Sequence, residues 1–213
     1  MTIPAPAEAA DGHRSARKQR AILDAATEAF LEQGYGGTSM DSIAAAAGVS
    51  KQTVYQHFGD KQRLFRELIT ATVQAASDPV YDEARRLADS GRIEDDLRDL
   101  ARRLLALVMQ PTMLRLRRLV IAEARRFPEL GRVFYDQGPG RTIATLAETF
   151  AELAAQGKLH APDPLLAATH FNWLVMSAPL NEAMLLGKDE SLSARKIKQL
   201  GDGAVRVFLS AYR

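Results

Sequence analysis

The sequence contains no cysteine among its 213 residues. This absence excludes a disulfide framework, a cysteine-based zinc site and a catalytic thiol. No apolar run approaches the roughly 20 residues that a membrane-spanning helix needs, and residues 1–13 lack the apolar core of a secretory signal. We therefore expect a cytoplasmic protein.

The chain also lacks a large net charge: its 28 basic and 26 acidic residues leave a formal net charge of only +2. Residues 1–70 contain eight residues of each sign. Contact with nucleic acid would therefore depend on basic side chains gathered on one surface, and not on the charge of the whole chain.

Signatures of catalysis and of β-structure are missing as well. The four histidines do not have the HExxH spacing, and no GxSxG, P-loop or Rossmann pattern occurs. We expect no enzyme activity, no metal site and no cofactor.

Apolar residues, 46% of the chain with alanine and tyrosine included, recur with a helical period and nowhere alternate for long. The sequence predicts an all-α fold of about nine or ten helices.

The most informative segment, residues 38–58, reads TSMDSIAAAAGVSKQTVYQHF. Thr38 is a candidate helix cap, with Asp41 as the acidic half of a capping box. Gly48 supplies a left-handed position that ends this first short helix, and Ser50 is a candidate cap for a second one. Two short helices joined by a tight turn, about residues 39–58, predict a helix-turn-helix.

Flanking helices are expected to support this motif, because helices so short are unstable alone. An amphipathic helix precedes it and ends at Gly34, and Asp60 caps a helix that follows and stops at the Asp78-Pro79 break. We predict a disordered tail over residues 1–13, a DNA-binding head over residues 14–77 and a helical C-terminal domain over residues 78–213.

The head resembles that of the TetR family of bacterial transcriptional regulators. The matching segments are residues 30–35 (FLEQGY), 38–44 (TSMDSIA) and 47–58 (AGVSKQTVYQHF), followed by Asp60-Lys61. The resemblance implies a three-helix head with a connecting fourth helix, a C-terminal ligand-binding and dimerisation domain, a homodimer, a near-palindromic operator and repression relieved by a small ligand.

The candidate DNA contacts follow from the motif and from the resemblance. Lys51 and Gln52 begin the second helix of the motif, where side chains meet base edges, and suit guanine and adenine respectively. For Tyr55 and His57 the alternatives are a packed aromatic residue and an ordinary surface histidine. The full predicted set is Arg17, Lys18, Thr38, Ser39, Ser50, Lys51, Gln52, Thr53, Tyr55, Gln56, His57 and Lys61.

Two segments of the C-terminal domain suggest self-association. Residues 165–178 are apolar nearly all round, and residues 193–212 contain Gly201 and Gly203, as expected where helices approach closely. A fully buried helix beside an exposed one remains the alternative. The predicted dimer interface comprises Leu166, His170, Leu174, Ile197, Leu200, Gly201, Ala204 and Phe208.

A pocket for a hydrophobic or aromatic small molecule is also expected in the C-terminal domain. Its predicted lining is Met109, Met113, Phe127, Phe134, Phe150, His170, Trp173 and Met176. Ordinary core packing is the alternative for each of them, and for Arg117 and Arg118 solvated surface is favoured over contact with an anionic ligand.

The rival functions are a DNA-bound structural or cell-division factor without an effector, a helical protein-interaction module and an enzyme.

Overall fold

The computed structural model describes the backbone of residues 6–213 and the side chains from residue 14 onward. This part of the chain contains no strand, and all its regular elements are helical, which confirms the predicted all-α class. The α-helices are α1 (Pro6–Gly37), α2 (Met40–Ala46), α3 (Lys51–Phe58), α4 (Lys61–Arg86), α5 (Ile93–Val108), α6 (Pro111–Glu123), α7 (Pro128–Tyr135), α8 (Arg141–Ala155), α9 (Pro164–Leu186) and α10 (Ala194–Tyr212).

The first helix begins earlier than predicted. It starts at Pro6, so the prediction of a disordered tail is wrong for residues 6–13, while residues 1–5 lie outside the described residues. Proline is favourable in a first turn, and the alanines that follow have the highest helix propensity. At the predicted stop, Gly34 has non-helical backbone angles (φ 72°, ψ 172°), so α1 is kinked there although its bounds extend to Gly37.

The prediction of a break at Asp78-Pro79 is wrong, because α4 continues through Pro79 to Arg86. A proline inside a helix loses a hydrogen bond and clashes with the preceding turn. Burial of Val80, Tyr81 and Ala84 just beyond it offsets that cost. The chain divides into two compact units between Ala71 and Thr72, somewhat before the predicted boundary.

The N-terminal unit is built around an aromatic cluster. The rings of Phe30, Tyr35 and Phe65 lie with their centroids 4.7 to 5.7 Å apart. Val54 and Phe58 are completely buried, so one face of α3 packs into the unit. These contacts hold the two short helices in place.

The core of the C-terminal unit lies among α5, α8, α9 and α10. Phe150, Phe171 and Phe208 meet there at centroid distances of 5.1 to 5.7 Å. All three side chains are fully buried. Among the described helices, none is both long and apolar enough to cross a bilayer.

Candidate nucleic-acid interface and buried cavity

The first helix of the motif, α2, is capped by Ser39 and not by Thr38. The Ser42 amide donates to Ser39 Oγ at 3.0 Å, and the Ser39 amide donates to Ser42 Oγ at 3.1 Å. Ser42 therefore takes the second position of the capping box, which the sequence predicts for Asp41. The reason is that the buried Thr38 hydroxyl donates to Gly34 O at 2.8 Å and Ala29 O at 3.0 Å, so it ties the motif to α1.

The turn and the second helix follow the sequence pattern closely. Gly48 has a φ of 65°, in the left-handed region. Ser50 caps α3 by accepting a hydrogen bond from the Thr53 amide at 3.1 Å. With Val54 and Phe58 buried, α3 presents its opposite face to solvent; its exposed residues are Lys51, Gln52, Tyr55 and Gln56, with Thr53 and His57 half-buried.

An ion pair joins the two helices of the motif. Lys51 Nζ lies 2.8 Å from a carboxylate oxygen of Asp41, and both side chains are exposed. The hydrogen bond to this carboxylate, and then its charge, raise the pKa of Lys51 above its usual value. Tyr55 is 43% exposed, so its ring is not the packed aromatic residue of the alternative interpretation.

Lys61 has a role that the sequence did not reveal. Its ammonium group donates to Tyr35 O at 2.7 Å and Thr38 O at 2.9 Å, and it lies 4.5 Å from the centroid of the Tyr35 ring. Lys61 thereby ties the start of α4 to the loop between α1 and α2. This geometry gives no support to its predicted phosphate contact. Arg17 and Lys18 are exposed on α1.

The C-terminal unit encloses a small cavity of about 30 Å³. It lies between α4, α5, α6, α9 and a π-helical segment, Asp136–Gly140. The lining residues are Val73, Ser77, Leu104, Leu107, Val108, Met113, Arg117, Phe134, Gly138, Pro139, Thr142, Asn172 and Met176. A volume of this size accommodates one water molecule but no larger ligand without rearrangement.

Three of the predicted pocket residues, Met113, Phe134 and Met176, line this cavity, and the others do not. Met109 and Phe150 are buried in the core, and the Phe127 ring lies against Arg126. His170 and Trp173 are exposed. The errors on α9 have one cause: a helix that is apolar all round does not reveal which face points to a cavity.

The polar lining of the cavity has unsatisfied groups. Asn172 is completely buried, and neither its side-chain oxygen nor its nitrogen has a hydrogen-bond partner in the described part of the protein. Arg117 lies with its guanidinium carbon 5.0 Å from the centroid of the Phe134 ring. Burial lowers the pKa of Arg117. The prediction of solvated surface is wrong for Arg117, which is half-buried and lines the cavity.

Comparison with known families agrees with this architecture. Residues 22–68 match the model of the bacterial regulatory proteins of the tetR family. Residues 95–213, more than half of the chain, match the C-terminal domain of AefR-like transcriptional repressors. The chain belongs to the TetR family. Members of this family are DNA-binding transcription factors and not enzymes, which confirms the expected class of function.

Solved structures of TetR regulators resemble nearly the whole chain. A putative TetR-family transcriptional regulator from Mesorhizobium loti is 43% identical, with a TM-score of 0.88, over 93% of this chain and 98% of that one. The flavonoid-responsive regulator FrrA is 36% identical, with a TM-score of 0.77, over the same shares of the two chains.

Curated relatives match over a shorter region. The transcriptional activator FasR of Mycolicibacterium smegmatis is 37% identical over 37% of each chain. The repressor AcnR of Corynebacterium glutamicum is 29% identical over 40% of this chain and 46% of its own length. The chain therefore spans less than half the length of these two HTH-type regulators.

TetR-family regulators act as dimers, and an apolar surface suited to this lies on α9. Leu166 is 47%, Trp173 38% and Leu174 43% exposed. His170, also exposed, has its Nδ1 atom 2.6 Å from the Tyr212 hydroxyl of α10. We call Leu166, His170, Trp173 and Leu174 the α9 face.

The structure contradicts much of the interface predicted on α10. Ala204 and Phe208 are buried in the unit's own core, and Ile197 and Leu200 are half-buried. Gly201 is also buried, and a Cβ there would lie 3.1 Å from Arg102 Cγ. The glycine therefore permits a close approach of α10 to α5 in the same chain, a packing that the sequence pattern does not distinguish from an interface between chains.

Proposed function

We propose that this chain is a ligand-responsive repressor that binds a near-palindromic operator as a homodimer. The observation that carries the proposal is the exposed face of α3, which is held by a buried Val54/Phe58 anchor and by caps at both short helices. In a helix-turn-helix dimer, two such helices enter successive major grooves about 34–36 Å apart.

Lys51 and Gln52 are the proposed base-reading residues, because they start α3 and are exposed. In the free protein Asp41 holds Lys51, and the guanine edge competes with that carboxylate in the complex. Tyr55, Gln56, His57, Thr53, Arg17 and Lys18 are proposed to contact the backbone. Ser39 and Ser50 serve as caps, so they keep their helix N-termini directed at phosphates.

The proposed dimer forms through the α9 face, and the proposed effector is a hydrophobic or aromatic small molecule. The effector proposal is supported by FrrA, which is described as flavonoid-responsive and is similar to this chain over its length. The cytoplasmic location follows from the proposed DNA partner.

One observation favours the second candidate, a DNA-bound structural factor without an effector. The cavity measures only about 30 Å³, so it admits an aromatic ligand only if its walls move. Failure of every ligand class to bind would favour this candidate, whereas ligand-dependent release of DNA would exclude it.

Selection of bound fragments from the source genome tests the DNA-binding proposal. We expect a shared inverted repeat, and gel-shift titrations with Lys51→Ala or Gln52→Ala should reduce discrimination at one base pair of each half-site by about 1–3 kcal/mol. Arg85→Ala, an exposed residue of the C-terminal unit, is the matched control and should retain full discrimination. Equal losses for matched and mutated operators would contradict the assignment of base readers.

A further inference from the structure

The cavity contains a buried amide that the protein itself leaves unpaired. Asn172 lines the cavity with both polar side-chain atoms inaccessible to solvent and unpartnered among the described residues. Leaving such a group without a partner is costly in a folded protein. An unpaired, buried amide among the residues that line a cavity therefore indicates a polar atom supplied from outside the chain.

A cation lies in the same wall. The Arg117 guanidinium is held against the Phe134 ring and forms no ion pair with any described side chain. Its neighbour on the same helix differs: Arg118 pairs with Asp189 and donates to Ala183 O at 3.2 Å. Arginine stays protonated at neutral pH, so Arg117 brings an uncompensated positive charge to the cavity.

The remaining lining limits what an occupant can be. Met113, Met176, Leu107 and Phe134 provide an apolar surface, and the two methionines can change rotamer to enlarge a cavity that is far too small for a benzene ring as it stands. A long or multiply charged molecule would leave much of its polar surface unsatisfied here.

We propose that the cavity binds a small aromatic acid, whose carboxylate is held by Arg117 and whose adjacent polar atom is held by Asn172. The Arg117 guanidinium donates hydrogen bonds to the carboxylate. The Asn172 side chain forms a hydrogen bond with the adjacent polar group of the ligand. The aromatic ring occupies the space between the two methionines and Phe134. This assignment of ligand class rests on the proposed function as a ligand-responsive regulator.

The same cavity is placed to affect α4. Val73 and Ser77 of α4 line it, and Gly138 of the π-helical segment lies beside Val73, where an added Cβ would be in ordinary van der Waals contact at 3.7 Å from Val73 Cγ1. Tyr81 of α4 also donates its hydroxyl to Gln137 O at 3.3 Å. A ring inserted here therefore contacts α4 directly, through Val73 and Ser77.

Calorimetric titration of the intact protein with salicylate, benzoate and the neutral benzamide tests the ligand class. Salicylate and benzoate should bind at least about tenfold more tightly than benzamide, because the neutral amide has no negative charge to pair with the guanidinium of Arg117. Arg117→Gln should remove this preference, whereas Arg118→Gln should keep it. Equal binding of the neutral compound, or an unchanged preference in Arg117→Gln, would overturn the proposal.

Asn172→Leu separates a ligand role from a structural one. The parent protein should bind salicylate more tightly than benzoate, because the salicylate hydroxyl is the adjacent polar group that Asn172 holds. Since leucine is similar in size and removes the unpaired amide, the variant should melt no lower than the parent protein while losing this extra affinity for salicylate. A lower melting temperature, or retention of that extra affinity, would show that Asn172 does not serve the ligand.

Gel shifts with a selected genomic fragment distinguish failure of the aromatic-acid proposal from failure of the proposed repressor function. DNA binding with no binding of any aromatic acid would overturn the ligand class and leave the regulator intact. Acid binding without any specific DNA complex would support the site and overturn the proposed repressor.

Discussion

Single side chains in this protein carry roles that depend on where their neighbours lie. Thr38 and Lys61 belong to the predicted DNA-contact set, yet the first donates to backbone carbonyls of α1 and the second bridges Tyr35 O and Thr38 O. Ser50 and Asp60 are predicted caps that do cap helices in the structure, whereas Ser39 takes the cap position predicted for Thr38. Capping is local, and that explains why it is more readily predicted.

Lys61→Met should lower the free energy of unfolding by about 1–3 kcal/mol, because two part-buried carbonyl groups lose a charged donor. Urea unfolding measures this loss. Arg63→Met is the control: it removes an exposed ion pair with Glu67 and should cost under about 1 kcal/mol.

The salt dependence of DNA binding tests the phosphate contact that the sequence predicts for Lys61. If Lys61 only holds the loop, the slope of log affinity against log salt stays unchanged in Lys61→Met. A slope reduced by about one unit, with stability unaffected, would restore the phosphate contact.

At the scale of helices, tertiary packing overrides two local signals. Pro79 does not end α4, because the buried residues beyond it keep the helix in the core. Gly201 and Gly203 look equivalent in the sequence, but a Cβ at Gly201 would meet Arg102 at 3.1 Å, whereas at Gly203 the nearest atom is Arg206 Nη2 at 4.0 Å. Helix propensity alone cannot separate these two glycines.

The two glycines form a matched pair for mutagenesis. Gly201→Ala should destabilise the protein by about 1–3 kcal/mol, since the added methyl group overpacks the contact between α10 and α5. Gly203→Ala should stabilise it by about 0.5–1 kcal/mol through the entropy of the unfolded chain. Thermal and urea unfolding measure both changes, and stabilisation by both substitutions would show that α10 and α5 have room to separate.

At the scale of the whole molecule, the α9 face is an exposed apolar surface. Exposed leucine and tryptophan side chains grouped on one helix are typical of an association surface and are costly to leave in water. The apolar character of α9 predicted a partner for this helix, and the exposure of Leu166 and Leu174 specifies the part of it that a second copy would cover.

Leu174→Asp should weaken self-association by about 2 kcal/mol or more, because it places a charge in the centre of the proposed interface. Sedimentation equilibrium measures the change. Ile121→Asp, an exposed apolar residue of α6, should leave the association constant unchanged. Equal effects of the two substitutions would place the interface elsewhere, and a monomeric parent protein would contradict the proposed homodimer.

The sequence alone determined the all-helical class, the helix-turn-helix, its Ser50 cap and its Gly48 turn, because these follow from residues within a few positions of one another. It also identified the family, since the head motifs are local and ordered. Only the tertiary structure decided that Lys61 bridges a loop, that Gly201 meets Arg102 and that Asn172 and Arg117 share a cavity. Each of these depends on contacts between helices far apart in the chain, where a periodic pattern is compatible with several packings.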